Sequence, residues 1–136
     1  MRTLLAVLLV SMPACAPTRE TTGAAAPSAA ASDVRDIDVA TLHAGLASHA
    51  YPTVLDVRTP EEYAGGHVPG ARNVPVEAVD ALAGELRAAG SDVVLVCASG
   101  GRSARAARSL AAQGVRAVNV LGGTQAWVAA GYEVVR

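Results

Sequence analysis

The chain has 136 residues, a net charge of −1 and 51% hydrophobic residues. This length predicts one modest domain, and the balanced charge excludes the strongly basic surface that nucleic-acid binding usually requires. Only two Cys are present, with no Cys-x-x-Cys pair and no cluster of His and Asp, so we expect no metal site and no cofactor.

The first 14 residues predict an export signal peptide. Arg2 precedes a short apolar run, residues 4–10, which cannot span a bilayer because a transmembrane helix needs about 20 residues. Residues 12–15 resemble the lipobox of bacterial lipoproteins, in which the chain is cut before a Cys that then carries a lipid. We therefore expect cleavage before Cys15, lipidation of Cys15, and a membrane-anchored lipoprotein that faces the periplasm or the cell exterior.

An alternative processing site follows the lipobox-like segment. An ordinary cut after Ala16 would give a soluble periplasmic or secreted protein instead of an anchored one. Residues 15–33 are rich in Ala, Pro, Ser and Thr without apolar periodicity, which predicts a flexible tether. Residues 34–136 then form the folded domain, whose contact with a membrane would be through the lipid anchor only.

Strand and helix signals alternate from residue 34 onwards. Asp38 and Thr59 are each placed to cap a helix, and Pro60 is suited to a first helical position. The alternation predicts an α/β fold with a central parallel sheet of about five strands and helices on both faces. The predicted strands lie around Ile37 and at Pro52–Val57, Ala71–Val74, Val93–Val96 and Ala117–Leu121; the predicted helices are Val39–Ser48, a short one from Pro60, Val76–Ala89, Ser103–Gln113 and Gly123–Ala130.

Cys97 stands where the predicted central strand ends and a helix is about to begin. Ligands bind at this edge of open α/β sheets, and unpaired amide N–H groups at a helix N-terminus favour negative charge there. Gly100 and Gly101 allow the loop to curl so that its amides point inward, which stabilises a thiolate. Arg102 adds a fixed cationic fork that suits an oxyanion. These features predict a reactive thiol rather than a buried Cys that only fills space.

The segment Cys97-x-x-Gly100-x-Arg102-Ser103 resembles the active-site loop of the rhodanese (sulfurtransferase) family. Two further groups of residues resemble the amino-terminal and carboxyl-terminal signatures of that family, and all three motifs occur in the family's order. The first group is Asp56–Arg58, Glu61–Tyr63, Gly66–Ala71, Asn73 and Pro75, and the second is Gly122–Gly123, Ala126–Trp127 and Ala130–Tyr132.

The resemblance implies a single rhodanese-like domain and a sulfurtransferase activity. The enzyme would move a sulfane sulfur from thiosulfate or a persulfide donor to a thiol or cyanide, through a persulfide on Cys97. No general base is needed where the thiol is already ionised. Cys97 would be the catalytic residue, with Arg102 the expected anchor of the donor, and the substrate-binding loop would consist of Ala98, Ser99, Gly100, Gly101, Arg102 and Ser103.

Loop length separates this activity from a related one. Four residues lie between Cys97 and Arg102. The resembling dual-specificity phosphatases and arsenate reductases have one more, which widens the ring to fit a tetrahedral anion. The shorter ring suits a persulfide sulfur, so a phosphatase is disfavoured. The neutral side chains of Ala98 and Ser99 weaken the case for thiosulfate, since dedicated thiosulfate enzymes often carry basic residues here.

Other polar residues have structural interpretations. Asp56 and Arg58 follow a predicted buried strand and are secondary site candidates, although the resemblance implies that this pair is mainly structural. We expect His67 to be satisfied by backbone groups and Trp127 to belong to the core.

Three functions compete with turnover of small substrates. A sulfur carrier would form the persulfide but react with a protein partner, an interaction module would bind without chemistry, and a redox sensor would oxidise Cys97. The expected partners are a small anionic sulfur donor, a thiol acceptor and a possible protein acceptor of sulfur, with no nucleic acid. The domain is expected to be a monomer.

Overall fold

The computed structural model describes residues 34–136, which form a five-stranded parallel sheet with the strand order β1-β5-β4-β2-β3. This confirms the predicted α/β fold. The strands are β1 Arg35–Ile37, β2 Thr53–Asp56, β3 Arg72–Asn73, β4 Val93–Val96 and β5 Ala117–Val120. The helices are α1 Val39–Ala47, α2 Pro60–Ala64, α3 Ala83–Ala89, α4 Gly101–Ala112 and α5 Gly123–Ala129, with a 3₁₀ helix at Val79–Leu82.

The core lies on both faces of the sheet, because the side chains of the central strand β4 alternate. Val93 and Leu95 pack on one face with residues of α3 and α4, whereas Val94 and Val96 pack on the other with Leu42 of α1 and Trp127 of α5. All four β4 side chains are fully buried, as the unbroken apolar run predicts. Cys97 continues this alternation and points to the α4 side.

The two helix caps that depend on local sequence form as predicted. Thr41 N donates to Asp38 Oδ1 at 2.7 Å and begins α1. Thr59 and Glu62 form a reciprocal capping box at the start of α2, with Pro60 in its first turn. Such caps need only residues within one turn, so the sequence alone suffices to predict them.

Two helix boundaries differ from the prediction by more than one residue. The predicted helix Val76–Ala89 is a turn, then the 3₁₀ helix, then α3, and this arrangement buries Val79, Ala83 and Leu86 against the sheet. Helix α4 begins at Gly101 rather than Ser103, because Gly100 takes a left-handed conformation and its carbonyl accepts the N–H of Ala104 at 3.0 Å.

Residues 1–33 lie outside the described part of the chain, and the predicted signal peptide, the tether and Cys15 fall there. No helix between residues 34 and 136 is both long and apolar enough to cross a membrane. The export, lipidation and domain-boundary predictions therefore stay predictions.

Candidate active site

The site lies between the carboxyl ends of β4 and β2, which are neighbours in the sheet. From β2 the chain crosses to β3 at one edge, and from β4 it crosses to β5 in the opposite direction. Open parallel sheets bind ligands at such a reversal of strand order. Cys97 follows β4 and Asp56 ends β2, so the topology brings the predicted catalytic residue and its secondary candidates to one edge.

Hydrogen-bond donors of the loop are directed at the Cys97 sulfur. Its side chain is 1% exposed, and the Gly100 amide N–H donates to Sγ at 3.1 Å. The Ser103 hydroxyl lies 3.4 Å from Sγ on the other side. The positive φ of 102° at Gly100 aims its amide inward, and a Cβ there would lie 3.3 Å from Val120 O, so the position requires glycine.

These contacts set the protonation of the thiol. Burial raises the pKa of Cys97, but the hydrogen bond from the Ser103 hydroxyl and those from the Ser103, Gly100 and Ser99 amides lower it by more. The net pKa of the thiol therefore lies below its ordinary value. These donors favour the charged form of the sulfur, which is the form that acts as a nucleophile.

The loop is tied from behind by the start of α5. Thr124 N donates to Cys97 O at 2.8 Å and Gln125 N to Ala98 O at 2.9 Å. Gly123 has a φ of 56°, and a Cβ on it would collide with Cys97 O and with the carbonyl of Ala98. The Gly122-Gly123 motif thus lets α5 approach the backbone of the cysteine loop closely.

Arg102 is placed beside the loop but is already paired. Its two terminal nitrogens donate to the two Glu62 carboxylate oxygens at 2.8 and 2.7 Å. This hydrogen bond from Arg102, together with the Thr59 amide, lowers the pKa of Glu62 to about 2, and the carboxylate raises the pKa of Arg102. The role of Arg102 as donor anchor stays a prediction, and any anion there competes with Glu62.

Asp56 and Arg58 form a buried ion pair next to this edge. Arg58 donates from Nε and Nη2 to the Asp56 carboxylate, the closest contact being 2.7 Å, and also from Nη2 to Gly66 O at 2.8 Å. Asn73 Nδ2 donates to the carbonyls of Asp56 and Arg58. These side chains are occupied in holding the β2 turn, in keeping with the structural role that the resemblance implies.

Asn119 is a site residue that sequence analysis misses. Its side chain, 2% exposed, accepts the Ser103 hydroxyl at Oδ1 (2.7 Å) and donates from Nδ2 to Asp36 (2.8 Å). Asn119 lies inside a strand, 16 residues from Ser103 and 83 from Asp36, so no local pattern connects them. A polar residue within an otherwise apolar buried strand is the one available signal.

The structural expectations for His67 and Trp127 hold. The His67 ring nitrogen lies 3.0 Å from Tyr63 O, and the ring stacks on that of Tyr63. Trp127 is 1% exposed within the core. Among residues 34–136, no group of three or more His, Cys, Asp and Glu is placed to hold a metal ion.

A parallel α/β domain with a buried thiol that accepts hydrogen bonds at the switch in strand order defines a class of thiol-dependent group-transfer and binding domains. Comparison with known families specifies it further. The model of the rhodanese-like domain matches residues 38–130. The chain therefore belongs to the family of rhodanese-like domains.

Named relatives agree with this placement. The chain is 36% identical over 103 residues to a "Sulfurtransferase" of Allochromatium vinosum, a match that covers 75% of this chain and 95% of that protein. It is 35% identical over 98 residues to "Putative sulfur carrier protein YrkF" of Bacillus subtilis, covering 71% of this chain but only 52% of YrkF. The chain thus spans about half the length of the second relative.

Solved structures give the same fold. The crystal structure of a rhodanese-related protein from Thermoplasma volcanium is 37% identical, with a TM-score of 0.67 over 74% of this chain and 97% of that one. The fold and the membership of the rhodanese-like family are established by these likenesses together with the geometry.

Proposed function

We propose that the protein is a sulfurtransferase that carries a sulfane sulfur on Cys97 between an anionic donor, thiosulfate or a persulfide, and a thiol or cyanide acceptor. The convergence of the Gly100 amide and the Ser103 hydroxyl on a single buried sulfur carries this proposal. Such donors stabilise negative charge on sulfur, in the free enzyme and in the step that regenerates it. The family membership and the sulfurtransferase of A. vinosum support it.

The proposed reaction has two displacement steps. The Cys97 thiolate attacks the outer sulfur of thiosulfate, the S–S bond of the donor breaks, and sulfite leaves with the bonding electron pair. Cys97 then bears a persulfide whose outer sulfur is negatively charged. Cyanide or a thiolate attacks that outer sulfur, and the Cys97 thiolate leaves as it was at the start.

Two observations favour a sulfur carrier as the second candidate. Glu62 neutralises Arg102, and the loop side chains of Ala98 and Ser99 bear no charge, so little free positive charge surrounds the sulfur. The likeness to YrkF points the same way. A carrier would accept sulfur on Cys97 but pass it to a protein partner faster than to cyanide.

Intact-protein mass after incubation with thiosulfate tests the persulfide directly. The expected result is a gain of about 32 Da in the wild type, lost on adding cyanide and absent in Cys97→Ser. An adduct from glutathione persulfide but not from thiosulfate would favour the carrier or a persulfide transferase. No adduct from either donor would overturn the proposed function and leave an interaction module.

We also propose that this domain works outside the cytoplasm, anchored through Cys15. The support is the sequence of residues 1–33 alone, an apolar run with a lipobox-like end and a polar tether. Expression of the full chain in a bacterium, with metabolic labelling by a fatty-acid analogue, tests this. Label in the wild type but not in Cys15→Ser supports the anchor, and equal absence of label from both contradicts it.

A further inference from the structure

Beyond the sulfur-binding loop, a chain of hydrogen bonds leads from the Cys97 sulfur to the protein surface. It runs from Sγ to the Ser103 hydroxyl, from there to Asn119, and from Asn119 to Asp36 on the edge strand β1. Ser103 and Asn119 are buried, whereas Asp36 is exposed. The outer end of the chain opens on a cavity of about 470 Å³ that the loop backbone also lines.

Asp36 fixes which way the Asn119 amide points. A carboxylate only accepts hydrogen bonds, so the group 2.8 Å from Asp36 Oδ1 is the Asn119 NH₂. The amide oxygen therefore faces Ser103, and it can accept the hydroxyl proton across the 2.7 Å contact between them. The hydrogen-bond partners Asp36 and Ser103 thus determine the orientation of this amide.

Ser103 has one hydroxyl proton and three acceptors within reach. These are Asn119 Oδ1 at 2.7 Å, Gly100 O at 3.1 Å and Cys97 Sγ at 3.4 Å. When the proton turns to the sulfur, the buried Asn119 oxygen loses its donor, which costs free energy. When the proton stays on Asn119, the Ser103 oxygen can accept the S–H of a neutral thiol.

We propose that Asn119, held by Asp36, is a positioning residue that competes with the Cys97 thiolate for the Ser103 proton and so sets how readily the thiol ionises. Ser103 stabilises the thiolate, and Asn119 restrains that stabilisation. A persulfide carries its charge on the outer sulfur, so the hydroxyl then returns to Asn119 and the pocket favours the loaded cysteine over the bare thiolate. No proton crosses the amide, and the Cys97 proton is lost to solvent.

Other charged groups also face the sulfur and must be separated from this effect. Arg102 of α4 lies close enough to sense its charge, with Glu62 of α2 paired to it, and the Asp56–Arg58 ion pair follows β2. Helix α5 contributes no charged side chain. The test therefore compares variants in the presence and absence of Ser103, with these other groups unchanged.

The experiment measures the rate of Cys97 alkylation by iodoacetamide against pH, followed in the tryptic peptide 88–102, which contains Cys97 but not Cys15. Ser103→Ala is expected to move the midpoint of the profile upwards. Asn119→Leu is expected to move it downwards by about one pH unit, a tenfold larger thiolate fraction below the midpoint. A general loosening of the fold would not move the midpoints of Ser103→Ala and Asn119→Leu in opposite directions.

Asp36→Asn tests the same chain from an exposed position, where folding is least at risk. This substitution lets the Asn119 side-chain amide flip, so we expect a smaller downward shift of the midpoint. Glu85→Gln is the control, because it removes an equal charge far from these hydrogen bonds and should leave the profile unchanged. In a Ser103→Ala background, neither Asn119→Leu nor Asp36→Asn shifts the midpoint further. A shift that persists without Ser103, or an upward shift in Asn119→Leu, overturns the proposal. The readout is the thiol itself, so this result is independent of whether sulfur transfer occurs.

Discussion

Two turns at the same edge of the sheet hold polar groups in opposite ways. After β2, the Asp56 carboxylate and the Nε and Nη2 groups of Arg58 satisfy each other and the neighbouring backbone. After β4, the loop directs its donors at one atom, the Cys97 sulfur. Mutual pairing of polar groups gives a rigid support, whereas donors that converge on one atom give a reactive group, although Asp56 and Cys97 are both buried.

The largest effect is expected from breaking the support. Arg58→Met leaves the Asp56 carboxylate, which is 0% exposed, without its partner, and should lower the free energy of unfolding by about 3–5 kcal/mol. Urea denaturation measures this. The double variant Asp56→Leu with Arg58→Met removes both charges and should recover most of the loss. A loss below about 1 kcal/mol in the single variant would show that the ion pair does not support the fold.

The next effect comes from the converging loop. Gly100→Ala places a side chain at a φ of 102° and against Val120 O, at a cost of about 1–3 kcal/mol, and turns the amide away from the sulfur. We expect at least a tenfold loss of persulfide formation rate. Gly101→Ala is the matched control, because nothing lies within 4 Å of its Cβ and it is helical. Equal losses in both variants would contradict the role of the Gly100 amide.

A smaller effect concerns the cation beside the loop. Glu62→Gln removes the negative charge that neutralises Arg102, so the KM for thiosulfate should fall about threefold to tenfold, equivalent to roughly 1 kcal/mol. Steady-state kinetics with cyanide as acceptor measure it, and Glu61→Gln on the same helix is the control. An unchanged KM in Glu62→Gln would contradict the role of Arg102 as the anchor of the donor.

The smallest effect is the pH dependence of the stability that the Glu62–Arg102 ion pair contributes. The folded pKa of Glu62 is about 2, below its usual 4.5, so the pair contributes stability that is present above pH 4.5 and is lost as the pH falls towards 2. The pair is about one-third exposed, which limits the contribution to about 1 kcal/mol or less. The difference in unfolding free energy between the wild type and Glu62→Gln should therefore be present at pH 7 and absent near pH 2. A constant difference across this range would contradict the assignment.

Local signals made part of this molecule predictable. The apolar run of β4, the capping residues Asp38 and Thr59, and the glycines around Cys97 each act within a few residues. The start of the helix before β4 was harder to predict. An Ala-rich sequence favours a helix but does not indicate which turn tightens to a 3₁₀ helix against the sheet.

By itself, the sequence determined the α/β class, the strand that precedes Cys97 and the family resemblance, since hydrophobic period, caps and glycine positions are properties of neighbouring residues. Tertiary structure alone decided what surrounds the sulfur. Glu62 reaches Arg102 across 40 residues, and Asn119 reaches Ser103 across 16. These partners meet because parallel strands bring their carboxyl ends to one edge, and the side chains found there depend on the order of strands in the sheet.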